Sequence, residues 1–152
     1  MKTEFMRAAI RLSLEKMRRG EGGPFGAVVV RQGKIVGRGW NRVTSTNDPT
    51  AHAEVMAIRE TCRRLKTFRL DDCEIYASCE PCLMCLSAIY WARIRRIFYA
   101  GGRRDAAAAG FAPQNSDATA FACRRADSFQ GMAGQAGQSP LLKAARPGFV
   151  AR

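Results

Sequence analysis

A chain of 152 residues that is 47% hydrophobic has the length of one domain and enough apolar content for a single buried core. No apolar run approaches the roughly 18 residues of a membrane span, and the N-terminus lacks the continuous apolar stretch of a signal peptide, so a soluble, cytoplasmic protein is expected. The net charge of +12 would suit a nucleic-acid partner, but the 25 Lys and Arg are spread along the chain, with six in residues 1–20, nine in 31–69, five in 93–104 and five after 112. Much of that charge therefore reads as solvated surface, and a nucleic-acid partner is possible but not favoured.

In chain order, Phe5, Met6, Ala9, Ile10 and Met17 recur at helical spacing, and Gly20 closes that helix. Glu4 and Glu15 sit inside the pattern, which argues against a transit peptide. "GGPFG" supplies a turn. "AVVVRQGKIVGRG" reads as two strands joined at Gln32-Gly33, a hairpin by turn chemistry. A second helix is expected from near His52 to about Leu65, and "CEIYAS" is a short buried strand. The next helix is expected to open at Pro81, whose fixed φ and missing N–H suit a first helical position, and to run to about Trp91. "RRIFYAG" is another strand, and Ala106 to Ala109 form a short helical stretch. This order predicts an α/β fold, a sheet with helices packed on it.

After Phe111 the composition changes. Of the 41 residues from Ala112 to Arg152, 24 are Ala, Gly, Ser, Gln or Pro, and large apolar residues are few. Residues 1–111 are thus expected to form the folded domain, and 112–152 a poorly ordered tail.

His52 is the only histidine, and alone it would more often be a cap than a ligand. "CEPCLMC" changes that reading. Cys82 and Cys85 are three apart at a helix start, so both sulfurs can point to one face. In an unexported chain such cysteines stay reduced. Two thiolates and one imidazole form a zinc ligand set with one position open, and an open position is the mark of a catalytic centre. Helix N-termini favour the thiolates, whose two charges offset the metal's. Cys62, Cys73 and Cys123 are read as core filler or incidental.

Zinc with an open position makes a bound water acidic near neutral pH, and the reaction still needs a proton carrier. Glu54 is the candidate, close to the metal yet not a ligand. "HAE" and "PCLMC" together match the established zinc deaminase pattern H-x-E…P-C-x-x-C, which implies hydrolytic displacement of an amine from a ring carbon. The competing reading is a closed structural zinc site with Cys79 or Cys62 as fourth ligand. It gives no reason for Glu54.

On these motifs the chain resembles the cytidine and deoxycytidylate deaminase superfamily, and within it the bacterial guanine deaminases. "GGPFGAVVV", "TSTNDPTAHAEVMAIR", "LDDCEIYASCEPCLMC", "AIYWAR" and "DAAAAGF" carry the likeness in order and spacing over roughly residues 1–111. The resemblance implies a three-layer α/β/α fold around a mixed sheet, one Zn2+ per chain, a homodimer, and conversion of guanine to xanthine with release of ammonia. It also implies that Asn41 and the backbone of Ala53 hold the base while Phe25 and Trp91 line the pocket. From the residues themselves, Asn41 is equally a turn residue and Trp91 equally a core anchor.

The chain departs from that pattern after "AGF". Ala112-Pro113 stands where guanine deaminases carry an acidic pair, and neither residue can carry a proton. Two rivals follow: a tRNA adenosine deaminase that flips a loop base into the same pocket, and a non-catalytic zinc-binding homologue.

Overall fold

The computed structural model describes residues 2–108. In chain order the elements are α1 (Thr3–Arg18), β1 (Gly26–Arg31), β2 (Lys34–Trp40), α2 (Val43–Thr46), α3 (Ala53–Leu65), β3 (Cys73–Cys79), α4 (Leu83–Trp91), β4 (Arg96–Gly101) and α5 (Arg103–Ala108). The expected order is present, with the one-turn α2 added. The expected tail, residues 112–152, lies outside the described residues, as does Cys123.

"GAVVVR" is apolar on consecutive positions, the signature of a strand covered on both faces, and β1 is indeed interior. The sheet order is β2-β1-β3-β4; β1 runs antiparallel to both neighbours and β3 parallel to β4, which makes the sheet mixed. The two sides of β1 serve two cores. Ala27 and Val29 pack with Ile75, Ala77, Ala53, Ala57 and Ile89 under α3 and α4. Val28 and Val30 pack with Tyr76, Phe5, Met6 and Ala9 under α1. The result is a three-layer α/β/α arrangement.

The hairpin turns at Gln32 (φ 50°) and Gly33 (φ 72°), both left-handed as a two-residue type I′ turn requires. On β2, Gly37 and Gly39 are buried and let α3 lie almost against the strand. A Cβ on Gly39 would collide with the Ala53 carbonyl and the Ala57 amide. That contact fixes where the start of α3 sits.

The structure moves one expected boundary. Helix α4 starts at Leu83, and Cys82 is its N-cap in extended conformation (φ −72°, ψ 171°), so Pro81 precedes the helix and is not its first residue. The Cys82 carbonyl accepts the Leu86 amide at 2.9 Å, leaving its sulfur free to turn away from the helix. No described helix is long and apolar enough to cross a membrane.

Candidate metal centre and active site

Two helix starts meet here. His52 is the N-cap of α3 (φ −70°, ψ 155°), its carbonyl accepting the Met56 amide at 2.9 Å. Cys82 caps α4 and Cys85 lies in that helix's first turn. The parallel β3–α4–β4 crossover delivers the cysteines, and the contact of α3 on β2 delivers the histidine.

The three ligand atoms form a nearly equilateral triangle. His52 Nδ1 is 3.5 Å from Cys82 Sγ and 3.5 Å from Cys85 Sγ, and the sulfurs are 3.5 Å apart. Tetrahedral bonds of about 2.3 Å to sulfur and 2.0–2.1 Å to nitrogen would separate such atoms by about 3.6–3.8 Å, so the donor set fits zinc. Among the described residues this is the one cluster of three or more metal-binding side chains drawn together. Neither Cys62 nor Cys79 joins it. Cys79 instead points its thiol at the Gly102 carbonyl, 3.7 Å away, and the closed structural site loses its fourth ligand.

Glu54, the second residue of α3, is buried at 8% exposure, with Oε2 3.3 Å from Cys85 Sγ. Burial pushes its carboxyl above the usual carboxylate range, against the opposing pull of its backbone and Cys85 hydrogen bonds. A buried carboxyl beside the ligand triangle is placed to take and release a proton. The ligands divide their charge unequally. Cys82 is drawn down to about 4, first by the Cys85 hydrogen bond and then, against burial, by His52. Cys85 is pushed up, first by Cys82 and then by burial, and His52 is raised chiefly by its hydrogen bond to Cys82. A cation in the triangle stabilises the thiolate form of both sulfurs.

The substrate-side residues are only partly gathered. The Asn41 amide bonds the Phe25 carbonyl at 3.0 Å and the Arg42 amide bonds the Ala51 carbonyl at 2.8 Å, which joins the ends of β1 and β2 to the segment entering α3. Ala53 is buried at the first position of α3. Asn41 Oδ1 also accepts the Val43 amide at 3.2 Å, so the turn role is real. Trp91 ends α4, nine residues or about 13 Å of helix from Cys82. It is 72% exposed, and the core-anchor reading fails because α4 buries Cys85 and Ile89 in its place.

Sequence reasoning missed the clamp that presents His52. Asp48 Oδ1 accepts the Thr50 amide (2.8 Å) and the Thr50 hydroxyl (2.6 Å), Arg59 reaches Asp48 at 3.4 Å, and the Thr50 carbonyl takes the His52 amide at 2.8 Å. "NDPT" carried that signal, since Asp and Asn two residues before a backbone amide form such turns.

Residues 1–101 match the cytidine and deoxycytidylate deaminase zinc-binding region. The chain belongs to that deaminase family. Among relatives, the guanine deaminase of Bacillus subtilis (strain 168) is 57% identical over 107 residues, 70% of this chain and 69% of the relative. Its X-ray structure superposes with a TM-score of 0.71 at 44% identity, covering 100% of this chain and 87% of that one. The tRNA-specific adenosine deaminase of Aquifex aeolicus is 42% identical over 98 residues, 64% of each chain. A guanine deaminase structure from Nitrosomonas europaea matches at TM-score 0.67 and 30% identity over 76% of this chain and 70% of that one. The deaminase is a zinc hydrolase of the cytidine deaminase-like fold.

Proposed function

We propose that this deaminase hydrolyses guanine to xanthine and ammonia. The observation that carries the reaction type is the buried Glu54 carboxyl beside a triangle of three ligands. The similarity to guanine deaminases supports the substrate. His52, Cys82 and Cys85 would hold zinc, which would supply an acidified water as the nucleophile near neutral pH. Glu54 takes the proton that water gives up and hands it to the amine nitrogen as the ring carbon–nitrogen bond breaks. One water is consumed and one ammonia leaves. Burial around Glu54 excludes competing water, and the start of α3 adds a partial positive charge that favours the developing negative charge on the base.

Asn41 and the Ala53 backbone are proposed to pair with the polar edge of the base, and Phe25 to cover its face. Their junction at the β1 and β2 ends supports this. For Trp91 the position at the far end of α4 gives no such support. A cytoplasmic homodimer acting in purine catabolism is proposed, with the exposed Leu83 on apolar α4 supporting self-association.

The second reading, a tRNA adenosine deaminase, is favoured by the 42% identity to such an enzyme. Ammonia release from guanine, adenine, cytosine and a tRNA anticodon stem-loop decides between them. Guanine is expected to be hydrolysed fastest, and release from the stem-loop alone would replace this proposal.

A further inference from the structure

The basic residues are spread in the sequence, but the fold gathers some of them. Because β3 and β4 run parallel, the segments entering them lie side by side. The Leu70 amide bonds the Ala92 carbonyl at 2.8 Å, and Glu74 pairs in register with Arg96 and holds its guanidinium at 2.9 Å. At this end of the sheet, α3 ends in Arg63, Arg64 and Lys66, and the turn after α4 supplies Arg93 and Arg95. All five are exposed, and none is in an ion pair among the described residues. Over residues 63–74 and 91–96 there are seven Lys and Arg against three Asp and Glu, and each of the three acids is held by an arginine.

Two large aromatics stand among these cations. Phe68 and Trp91 are each 72% exposed, the highest exposure of any large apolar residue described. Phe68 occupies a short loop pinned at both ends, by the Thr67 amide on the Cys62 carbonyl (3.2 Å) and by the Leu70–Ala92 bond. The ring is therefore presented by a fixed backbone. Lys66 (φ 53°), the C-cap of α3, and Arg93 (φ 66°), the residue after the C-cap of α4, are left-handed, where glycine would be unstrained, so cations stand at both turns at some conformational cost.

Unpaired cations around outward-facing rings make a surface on which phosphates meet the cations and bases stack on the aromatics. We infer that this end of the sheet, formed by the α3–β3 and α4–β4 loops, binds single-stranded nucleic acid. Four of the five unpaired cations are arginines, whose planar guanidinium both forks onto phosphate and stacks on a base. An acidic peptide or a lipid headgroup would use the charge but gives less reason for two outward-facing aromatics. The surface is not the substrate mouth. Glu54 lies at the opposite end of α3 from Arg64, about 15 Å away along the helix. A strand held here is a tether, and its base is not the reacting group.

The test is fluorescence anisotropy of a labelled twelve-nucleotide RNA with the full chain across a salt series, beside duplex RNA of the same length, polyglutamate and phosphatidylserine vesicles. Binding to the single strand is expected to weaken linearly on a log–log salt plot. Arg63→Gln with Arg64→Gln should cut affinity at least tenfold and flatten that slope by about 1.4, at about 0.7 per phosphate contact. Phe68→Ala should weaken binding about fivefold or more, the low end of one lost base stack. Arg7→Gln with Arg11→Gln, which removes equal charge from α1, should change it less than twofold. Guanine hydrolysis should be unchanged in all these variants, reporting an intact fold. The inference is overturned by no single-strand binding at 50 mM salt, by equal loss in the α1 control, by a Phe68→Ala variant that binds normally, or by equal affinity for duplex, polyglutamate or vesicles.

Discussion

Cys85 Sγ stands 3.5 Å from His52 Nδ1 and 3.3 Å from Glu54 Oε2, so one sulfur touches both a ligand and the proton carrier. The carboxylate therefore borders the metal triangle without belonging to it. Glu54→Gln keeps the shape and the neighbour contact but cannot exchange a proton. Zinc content should stay near one per chain while turnover falls by about 10² to 10⁴-fold. Elemental analysis together with ammonia release measures both quantities, and near-normal turnover would remove Glu54 from the mechanism.

Replacing Cys82 and Cys85 together by Ser takes away both sulfur donors. The purified variant should contain almost no zinc, and a chelator should strip the native chain faster as pH falls. The sign follows from the ligands, since zinc needs Cys thiolates and neutral imidazole, so added protons compete with it. Metal content unchanged in the double variant would overturn the ligand assignment.

The motif residues were legible in the sequence because their chemistry is local. His52 and Glu54 are two apart, Cys82 and Cys85 three apart, and each pair sits where a helix begins. The sequence alone puts the start of α4 at Pro81, two residues before its true start at Leu83, because proline suits both the first helical position and the residue before the cap. The extended backbone of Cys82 and its carbonyl on the Leu86 amide show that Cys82 itself is the cap. Trp91 resisted for another reason: an apolar helix with no polar face leaves open which residues are covered, and the sheet chose Cys85 and Ile89. The Arg63–Arg95 surface was invisible because its parts are brought together only by parallel pairing of β3 with β4.

Gly39 offers a test of the scaffold. A methyl group there meets the backbone of α3 at Ala53 and Ala57, so Gly39→Ala must push the helix off β2. The expected cost is about 1–3 kcal/mol of stability, typical of overpacking, read from denaturant unfolding. Turnover should also drop, because the displaced end of α3 carries Glu54. Gly33→Asn is the control: it stays left-handed in an open turn and asparagine tolerates that conformation, so it should be nearly neutral. Equal stability of both variants would mean that the close approach of α3 to β2 is not required.

Asn41 has two roles to separate, and a pair of substitutions does so. Its Oδ1 holds the Val43 amide at 3.2 Å, while the amide nitrogen is the group proposed to donate to the base. Asn41→Ala removes both. Asn41→Asp keeps an acceptor for Val43 but replaces the donor with a second acceptor, so the turn before α2 should survive and base recognition should not. Leaving a polar edge of the base unpaired costs about 1–3 kcal/mol, which raises KM for guanine by roughly 5- to 150-fold. Thermal unfolding of Asn41→Asp should stay close to that of the native chain, whereas Asn41→Ala loses stability as well. If Asn41→Asp binds guanine normally, the residue is a cap of the loop alone, and recognition must rest on the Ala53 backbone and Phe25.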